Sequence, residues 1–133
     1  VRQFDEIKSW SEKIKSTNTN IDKNTKIVVS EAYHISKEWR LWIVESKVIA
    51  SSKYRENFQL KKEKGCPQYV IDFAELRCKE YTPHDIFVMD IGLCGNDLYI
   101  IECGCMNSAG FYSANISSIV DSITDYFINK SNK

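Results

Sequence analysis

The stretch DIGLCGNDLYIIE, residues 90–102, predicts the centre of the fold. Apolar β-type residues lie on both sides of a turn sequence, Gly-Asn-Asp at 95–97, and this pattern is typical of a β-hairpin. The stretch begins with Asp90 and ends with Glu102. When the turn is centred on Asn96, the two acids lie directly opposite each other, with Cβ atoms about 4.5–5.5 Å apart. The sequence therefore predicts a pair of carboxylates on one face of a sheet.

Two carboxylates this close repel each other, so one must hold a proton or both must share a cation. One interpretation is a Mg²⁺ site, because Mg²⁺ prefers oxygen ligands and is often held by one or two carboxylates together with substrate phosphates. Asn107, in the loop after the second strand, offers a further carbonyl oxygen. The other interpretation is a solvated or salt-bridged pair on an exposed sheet face. A register shift of one residue would instead place the acids on opposite faces.

The composition is that of an ordinary globular domain. The chain has 133 residues, of which 43% are hydrophobic and 27% charged, enough for one domain with a core. Lys+Arg and Asp+Glu both number 18, so no general attraction to nucleic acid or to an anionic membrane is expected. No apolar run has the length of a membrane span, and no secretory signal pattern opens the chain. We expect a cytoplasmic protein without nucleic-acid or membrane partners.

The cysteines agree with a reducing compartment. Five is an odd number, and their spacing gives no small disulfide framework. Cys103 and Cys105 resemble half of a thiolate metal site, which Cys94, His34 and His84 are the candidates to complete. Structural zinc sites usually contain a second closely spaced pair, which is missing here. We therefore favour plain thiols over a structural domain that binds zinc.

A second hairpin is predicted by EWRLWIVESKVIASSKYR, residues 38–55, with a two-residue turn at Ser46 and Lys47. This register places Glu38 opposite Arg55, and side chains then alternate between the two faces. The predicted charged face consists of Glu38, Arg40, Lys53 and Arg55. The predicted core face consists of Trp39, Leu41, Ile43, Ala50 and Ser52.

The charged face has two interpretations. It is either a solvent-exposed surface or, when it lies beside Asp90 and Glu102, a set of cationic groups for phosphate. In the second case Arg40, Lys53 and Arg55 stand next to an anionic pocket for metal. That combination of charges is what nucleotide chemistry needs.

Helices are predicted around the two hairpins. Apolar residues at helical spacing predict helices at 4–14, from Pro67 to near Tyr81, and at 115–128. In the last helix we expect the inward residues to be Ile116, Ile119, Val120, Ile123 and Phe127. The run 26–33 is rich in β-forming residues, whereas NFQLKKEKGC at 57–66 is predicted as a polar connection. This order predicts an α+β fold in which helices cover an antiparallel sheet.

Four segments, in this order and spacing, resemble motifs from the C-terminal part of an ATP-grasp domain, most closely those of the R2K clade. They are VVSEAYHISKEWRLWIV at 28–44, SSKYR at 51–55, FVMDIG at 87–92 and IIECGCMNSAGFY at 100–112. The resemblance implies one domain over 1–133, similar to the C-terminal ATP-grasp subdomain. Its sheet would consist of the two hairpins plus a hinge strand, covered by helices. The N-terminal helix and loop occupy 1–25, and the nucleotide- and metal-binding part occupies 26–133.

By position, the resemblance also implies which residues meet ATP. The hinge, where backbone groups contact adenine, corresponds to Glu31, Ala32 and Tyr33. Glu38 corresponds to the acid that binds ribose hydroxyls. Arg40 and Arg55 correspond to basic residues that face phosphates or an acyl phosphate, and they are the implied catalytic residues.

The resemblance implies that the carboxylate pair binds Mg²⁺. Asp90 and Glu102 correspond to the two metal-binding acids, and Asn107 and Ser108 to the loop near the acceptor site. The family usually carries a third ligand, an Asn two residues after the second acid, where this chain has Gly104. Metal binding would then rest on the two acids, water and Asn107.

The activity implied is that of an ATP-dependent carboxylate–amine ligase, which forms a peptide bond through an acyl phosphate. Its substrates would be small-molecule or peptide carboxylates and amines. ATP-grasp proteins clamp ATP between two subdomains, and nothing before Val28 resembles the lysine and glycine-rich loop of the other one. We therefore expect a missing N-terminal ATP-grasp half as partner. The alternative is a non-catalytic ATP-grasp remnant that binds a nucleotide or a protein.

Overall fold

The computed structural model describes residues 7–17, 22, 24–26 and 31–132. The chain divides into two compact units, Val1–Tyr33 and His34–Lys133. In the first unit, helix α1 spans Ile7–Thr17, three residues beyond the predicted end, and the predicted residues 4–6 lie outside the described part. Residues 27–30 of the predicted hinge strand also lie outside it, and residues 31–33 belong to no helix or strand.

The second unit is built on a five-stranded antiparallel sheet with the strand order β3-β2-β1-β4-β5. The strands are β1 Ile35–Val44, β2 Lys47–Glu56, β3 Gln59–Lys64, β4 Ile86–Cys94 and β5 Asp97–Gly104. Helices α2 (Gln68–Cys78) and α3 (Ile116–Ser131) complete it. The predicted α+β fold with an antiparallel sheet is confirmed, but the segment predicted as a polar connection contains the edge strand β3. None of the helices in the described part of the chain is long and apolar enough to cross a membrane.

The first hairpin turns one residue earlier than predicted. Its turn consists of Glu45 and Ser46, whose φ angles of 47° and 66° are those of a two-residue hairpin turn with positive φ at both positions. Two β-bulges follow along the strands, so Glu38 lies opposite Arg55 as predicted, but Arg40 lies opposite Ser52.

Between the two bulges, the side chains of β2 lie on the faces opposite to the predicted ones, so this prediction is wrong. A bulge inserts one residue into one strand, and a shift of one residue exchanges the two faces of the sheet. Lys53 therefore lies opposite Trp39, on the face predicted to be apolar. Ala50 packs in the cluster of Trp42 instead, and Ser52 also lies on the face of Arg40.

The second hairpin places its acids as predicted. Asp90 lies opposite Glu102, and Val88 lies opposite Gly104. The turn is tighter than predicted, because Cys94 already pairs with Asp97, and a bulge next to Asp90 compensates for the difference. The carboxylate pair on one face is therefore confirmed.

The two helices pack on opposite faces of the sheet. On one face, α2 contributes Val70, Ala74 and Cys78 to the larger core cluster. The strands contribute Trp39, Leu41, Ile43, Phe87, Met89 and Ile91. On the other face, Ile119 of α3 packs with Trp42 and Val88.

The inward stripe of α3 differs from the predicted one. Ile119 and Ile123 face the sheet as predicted, and Tyr126 is buried. Ile116, Val120 and Phe127 are instead 52%, 54% and 56% exposed, so the prediction that they face inward is wrong. The cluster under α3 is formed near Trp42 and Val88, and further along the same face of the sheet lie Arg40 and Asp90.

Candidate functional site

Asp90 is the most buried charged residue of the candidate site. It is 2% exposed, and Arg40 lies directly opposite it on the neighbouring strand. Arg40 donates two hydrogen bonds to it, from Nε to Oδ1 at 2.8 Å and from Nη2 to Oδ2 at 2.7 Å. These bonds raise the pKa of the Arg40 guanidinium above its ordinary value, although burial opposes the shift. Such a bidentate pair fixes both position and orientation, because the planar guanidinium matches the carboxylate.

Glu102 lies on the other side of the same guanidinium. Its Oε1 is 3.7 Å from Nη2 of Arg40, and its side chain is 66% exposed. Arg40 therefore spans the carboxylate pair, with a buried acid on one side and an exposed acid on the other.

Glu38 is a third acid on this face, and it is only 6% exposed. Tyr54 donates a hydrogen bond from its hydroxyl to Oε2 of Glu38 at 2.6 Å, and Arg55 donates from Nη1 to Oε1 at 2.9 Å. Both carboxylate oxygens are thus engaged, which offsets the cost of burying the charge.

Tyr54 connects Glu38 to Asp90, and the sequence analysis gave it no role. Its hydroxyl oxygen is also 3.2 Å from Oδ2 of Asp90. Burial raises the pKa of the Tyr54 hydroxyl well above its ordinary value, and the two neighbouring carboxylates raise it further. Strict alternation would put Tyr54 on the opposite face from Arg55, and the bulge in β2 is what brings both to the same acid.

Tyr112 forms a second part of the site that the sequence analysis missed. Its ring stacks on Tyr54, with 4.9 Å between ring centroids and 12° between ring planes. The Cζ atom of Arg40 lies 5.2 Å from the Tyr112 ring centroid and 5.7 Å from that of Tyr54. Tyr112 has a φ of 50°, a left-handed conformation that is uncommon outside glycine and recurs at ligand sites. The motif IIECGCMNSAGFY contained Tyr112, but a sequence gives no sign of such a backbone conformation.

Lys53 lies away from this network. Its ammonium pairs with Glu56 at 3.0 Å and with Glu63 at 2.9 Å. Because its side chain lies on the face of Trp39, the structure does not bring Lys53 together with Arg40 and Arg55. The prediction that it joins them in a phosphate-binding face is therefore wrong.

The remaining predicted residues lie in other segments. Asn107 is exposed in a short 3₁₀ turn, Met106–Ser108, directly after β5. Glu31, Ala32 and Tyr33 are exposed residues of the first unit. Their implied contact with adenine stays a prediction.

The donor set of the carboxylate pair suits Mg²⁺. Asp90 and Glu102 provide hard oxygen ligands at opposed strand positions, and the pair already holds one cation, the Arg40 guanidinium. Gly104 supplies no side-chain ligand. Within the described ranges, no group of three or more His, Cys, Asp or Glu side chains is arranged to hold a metal ion. Two carboxylates leave most positions around a Mg²⁺ ion to water or to a ligand's phosphates.

Comparison with protein families gives a match over most of the chain. The family model described as "ATP-grasp domain, R2K clade family 3" matches residues 1–123. The match includes all five strands and every residue of the network around Asp90. Curated proteins and solved structures give no match.

Proposed function

Because the chain belongs to the R2K clade of ATP-grasp domains, we propose that it holds ATP and Mg²⁺ as part of a carboxylate–amine ligase. Family membership supports nucleotide binding of the ATP-grasp type. The observation that carries the proposal is the network on one face of the sheet, in which Arg55, Glu38, Tyr54, Asp90 and Arg40 follow one another in direct contact. A buried network of this kind positions charged groups before any ligand arrives.

The carboxylate pair is the proposed metal-binding part. Asp90 and Glu102 would hold Mg²⁺, and Asn107 lies in the loop that follows. When bound, Mg²⁺ supplies charge neutralisation to the phosphates of the nucleotide. The contribution of this chain is to hold Asp90 rigidly while Glu102, which is largely exposed, reaches into solution.

The two arginines are the proposed phosphate-binding part. Arg55 is 46% exposed, so its guanidinium contacts Glu38 and solution at the same time. Arg40 lies deeper, at 13% exposure. Two guanidiniums fixed on one face of the sheet stabilise the negative charge that develops on a transferred phosphoryl group.

The proposed reaction has two steps. The carboxylate oxygen of the first substrate attacks the γ-phosphorus of ATP, and ADP leaves as an acyl phosphate forms. An amine then attacks the acyl carbon, phosphate leaves, and the amine loses a proton to give the amide. The substrates proposed are small-molecule or peptide carboxylates and amines, and an N-terminal ATP-grasp half is the proposed partner.

The second candidate is a nucleotide- or protein-binding module without turnover. It is favoured by Gly104, which stands where the family usually has a ligating Asn. The occupied oxygens of Asp90 point in the same direction, since a metal ion must compete for them. Turnover of ATP in the presence of a second ATP-grasp subdomain separates the two candidates.

The proposed function is tested by calorimetric titration with a non-hydrolysable ATP analogue, with and without Mg²⁺. We expect Mg²⁺-dependent binding by the natural chain and its loss in Asp90→Asn/Glu102→Gln. The matched control is Asp72→Asn/Glu80→Gln, which makes the same changes at two exposed acids on or beside α2. Circular dichroism shows whether each variant is folded. Equal binding by the natural chain and the Asp90→Asn/Glu102→Gln variant, or no binding by either, contradicts the proposal.

A further inference from the structure

The guanidinium of Arg40 occupies the position of a cation shared between Asp90 and Glu102. It contacts both oxygens of Asp90, at 2.8 and 2.7 Å, and lies 3.7 Å from Glu102. Each oxygen of Asp90 therefore accepts a hydrogen bond from the same side chain. A metal ion shared by Asp90 and Glu102 would need the space of the Arg40 guanidinium, so it can bind both acids only when this contact is at least partly broken.

We propose that Arg40 is an exchangeable counter-cation, which a divalent metal ion displaces from Asp90 and which then turns toward the phosphates of the nucleotide. This inference rests on the proposed cation site at Asp90 and Glu102. It assigns Arg40 two alternating partners, a carboxylate in the absence of ligand and an anion in its presence. Arg40 is thus a positioning residue for the metal as well as a phosphate-binding residue.

The surroundings of Arg40 provide a place for the displaced side chain. Its Cζ lies 5.2 Å from the ring of Tyr112 and 5.7 Å from the ring of Tyr54. The faces of aromatic rings attract a guanidinium, and this attraction remains when the contact with Asp90 is lost. The two rings are stacked on each other and so form a fixed support for Arg40.

The charges of the network explain why displacement of Arg40 by a metal ion should increase the affinity for nucleotide. Glu38, Asp90 and Glu102 carry three negative charges and Arg40 and Arg55 two positive charges, which leaves one net negative charge. A divalent ion reverses the sign and frees one guanidinium, so the site then attracts phosphate groups. Metal and nucleotide should therefore bind cooperatively, each increasing the affinity for the other by the same factor.

The contacts of the other cations single out Arg40. Arg55 bonds to Glu38, and the Lys62 ammonium lies 6.0 Å from the Tyr112 ring. Removing Lys62 changes the local charge by the same amount as removing Arg40, but it leaves the two bonds to Asp90 in place. Lys62→Gln is therefore the matched control for a general electrostatic effect.

The test is the affinity for Mn²⁺ alone, measured by calorimetry on the natural chain, Arg40→Gln and Lys62→Gln. We expect Arg40→Gln to bind Mn²⁺ at least about tenfold more tightly, because the ion no longer competes with charge-assisted hydrogen bonds. Lys62→Gln should increase the Mn²⁺ affinity much less. Circular dichroism checks folding. If Arg40→Gln does not fold, Arg40→Lys should give a smaller gain in the same direction, since an ammonium lacks the planar fork that matches both carboxylate oxygens.

The exchange is overturned if the folded Arg40 variant binds Mn²⁺ no more tightly than the natural chain. It is also overturned if Lys62→Gln increases the Mn²⁺ affinity by the same factor as the Arg40 variant. The coupling gives a second readout. A non-hydrolysable ATP analogue should increase the Mn²⁺ affinity of the natural chain by a larger factor than that of Arg40→Gln. If nucleotide binds but Arg40→Gln shows no gain in Mn²⁺ affinity, the exchange is wrong and the proposed function stands. If Arg40→Gln shows the gain but no nucleotide binds, the proposed function and the turn of Arg40 toward phosphate are wrong, and only its displacement by metal stands.

Discussion

The hydroxyl group of Tyr54 has one proton and two carboxylates within reach, Glu38 at 2.6 Å and Asp90 at 3.2 Å. The shorter distance indicates that the proton is donated to Glu38. Glu38 is 6% exposed, so it depends on this bond and on Arg55 for the solvation that water would otherwise give. A small substitution at Tyr54 should therefore have a large effect on this site.

We predict that Tyr54→Phe destabilises the protein by about 1–3 kcal/mol, since it leaves a buried carboxylate without one of its hydrogen bonds. The measurement is urea unfolding followed by circular dichroism. Tyr69→Phe is the control, because Tyr69 is 51% exposed and should change the unfolding free energy by less than about 0.5 kcal/mol. Equal stability of Tyr54→Phe and the natural chain would show that the hydroxyl does not sustain Glu38.

Gly104 has room for the ligand that the family usually places there. A Cβ at this position would lie 3.6 Å from Cγ2 of Val88, an ordinary contact. We predict that Gly104→Asn increases the affinity for Mn²⁺ roughly tenfold, or about 1.4 kcal/mol, because it adds a carbonyl oxygen beside Glu102.

Gly95→Asn is the control for this substitution. It introduces the same side chain in the hairpin turn, where φ is 60°, a conformation that Asn tolerates. Mn²⁺ affinity that is unchanged in Gly104→Asn, or increased equally in Gly95→Asn, would show that position 104 does not face a metal ion.

The edge strand β3 pairs with β2 through its backbone, and its side chains add a cluster of ion pairs rather than a core. Glu56 pairs with Lys61 at 2.6 Å and with Lys53 at 3.0 Å, and Lys53 also pairs with Glu63. Hydrogen bonds from Lys61 and Lys53 lower the pKa of Glu56 to about 2. Charged residues on an edge strand also discourage pairing with another chain.

This cluster predicts a loss of stability in acid. The unfolded chain has a Glu pKa of about 4.3, so between that pH and about 2 the unfolded state binds more protons than the folded state. The contribution of Glu56 is present above this window and disappears as the pH falls through it. We predict that the melting temperatures of the natural chain and Glu56→Gln differ at pH 6 and converge toward about pH 2. A difference that is constant with pH would contradict the assignment, and added salt should reduce the difference at pH 6.

The two hairpins show what alternation along a strand can predict. In the second hairpin, a tighter turn and a bulge next to Asp90 compensate, so the predicted pair of Asp90 and Glu102 was confirmed. In the first hairpin, two bulges restored the pair of Glu38 and Arg55 but left Lys53 on the wrong face. Bulges depend on packing between distant segments, and the pattern of one strand does not reveal them. The positions of the two acids were therefore predictable from the sequence, whereas the contacts of Tyr54 and Tyr112 follow only from the three-dimensional fold.

The charges of the chain balance overall but not locally. Lys+Arg and Asp+Glu both number 18, yet one face of the sheet collects three acids and two arginines in a single network. Helix α3 packs on the same face, where Ile119 meets Trp42 and Val88. The proposed ligand site is thus bordered by a core on one side and open to solution at Glu102 and Arg55.

An NMR titration of the isotope-labelled chain with Mg²⁺ and a non-hydrolysable ATP analogue tests most directly whether this face binds nucleotide. We predict that the largest shift changes occur at Arg40, Tyr54, Asp90 and Tyr112, with smaller changes on α2 across the sheet. Shift changes confined to the opposite face, around Lys37 and Lys64, or no change at saturating nucleotide, would contradict the proposed site.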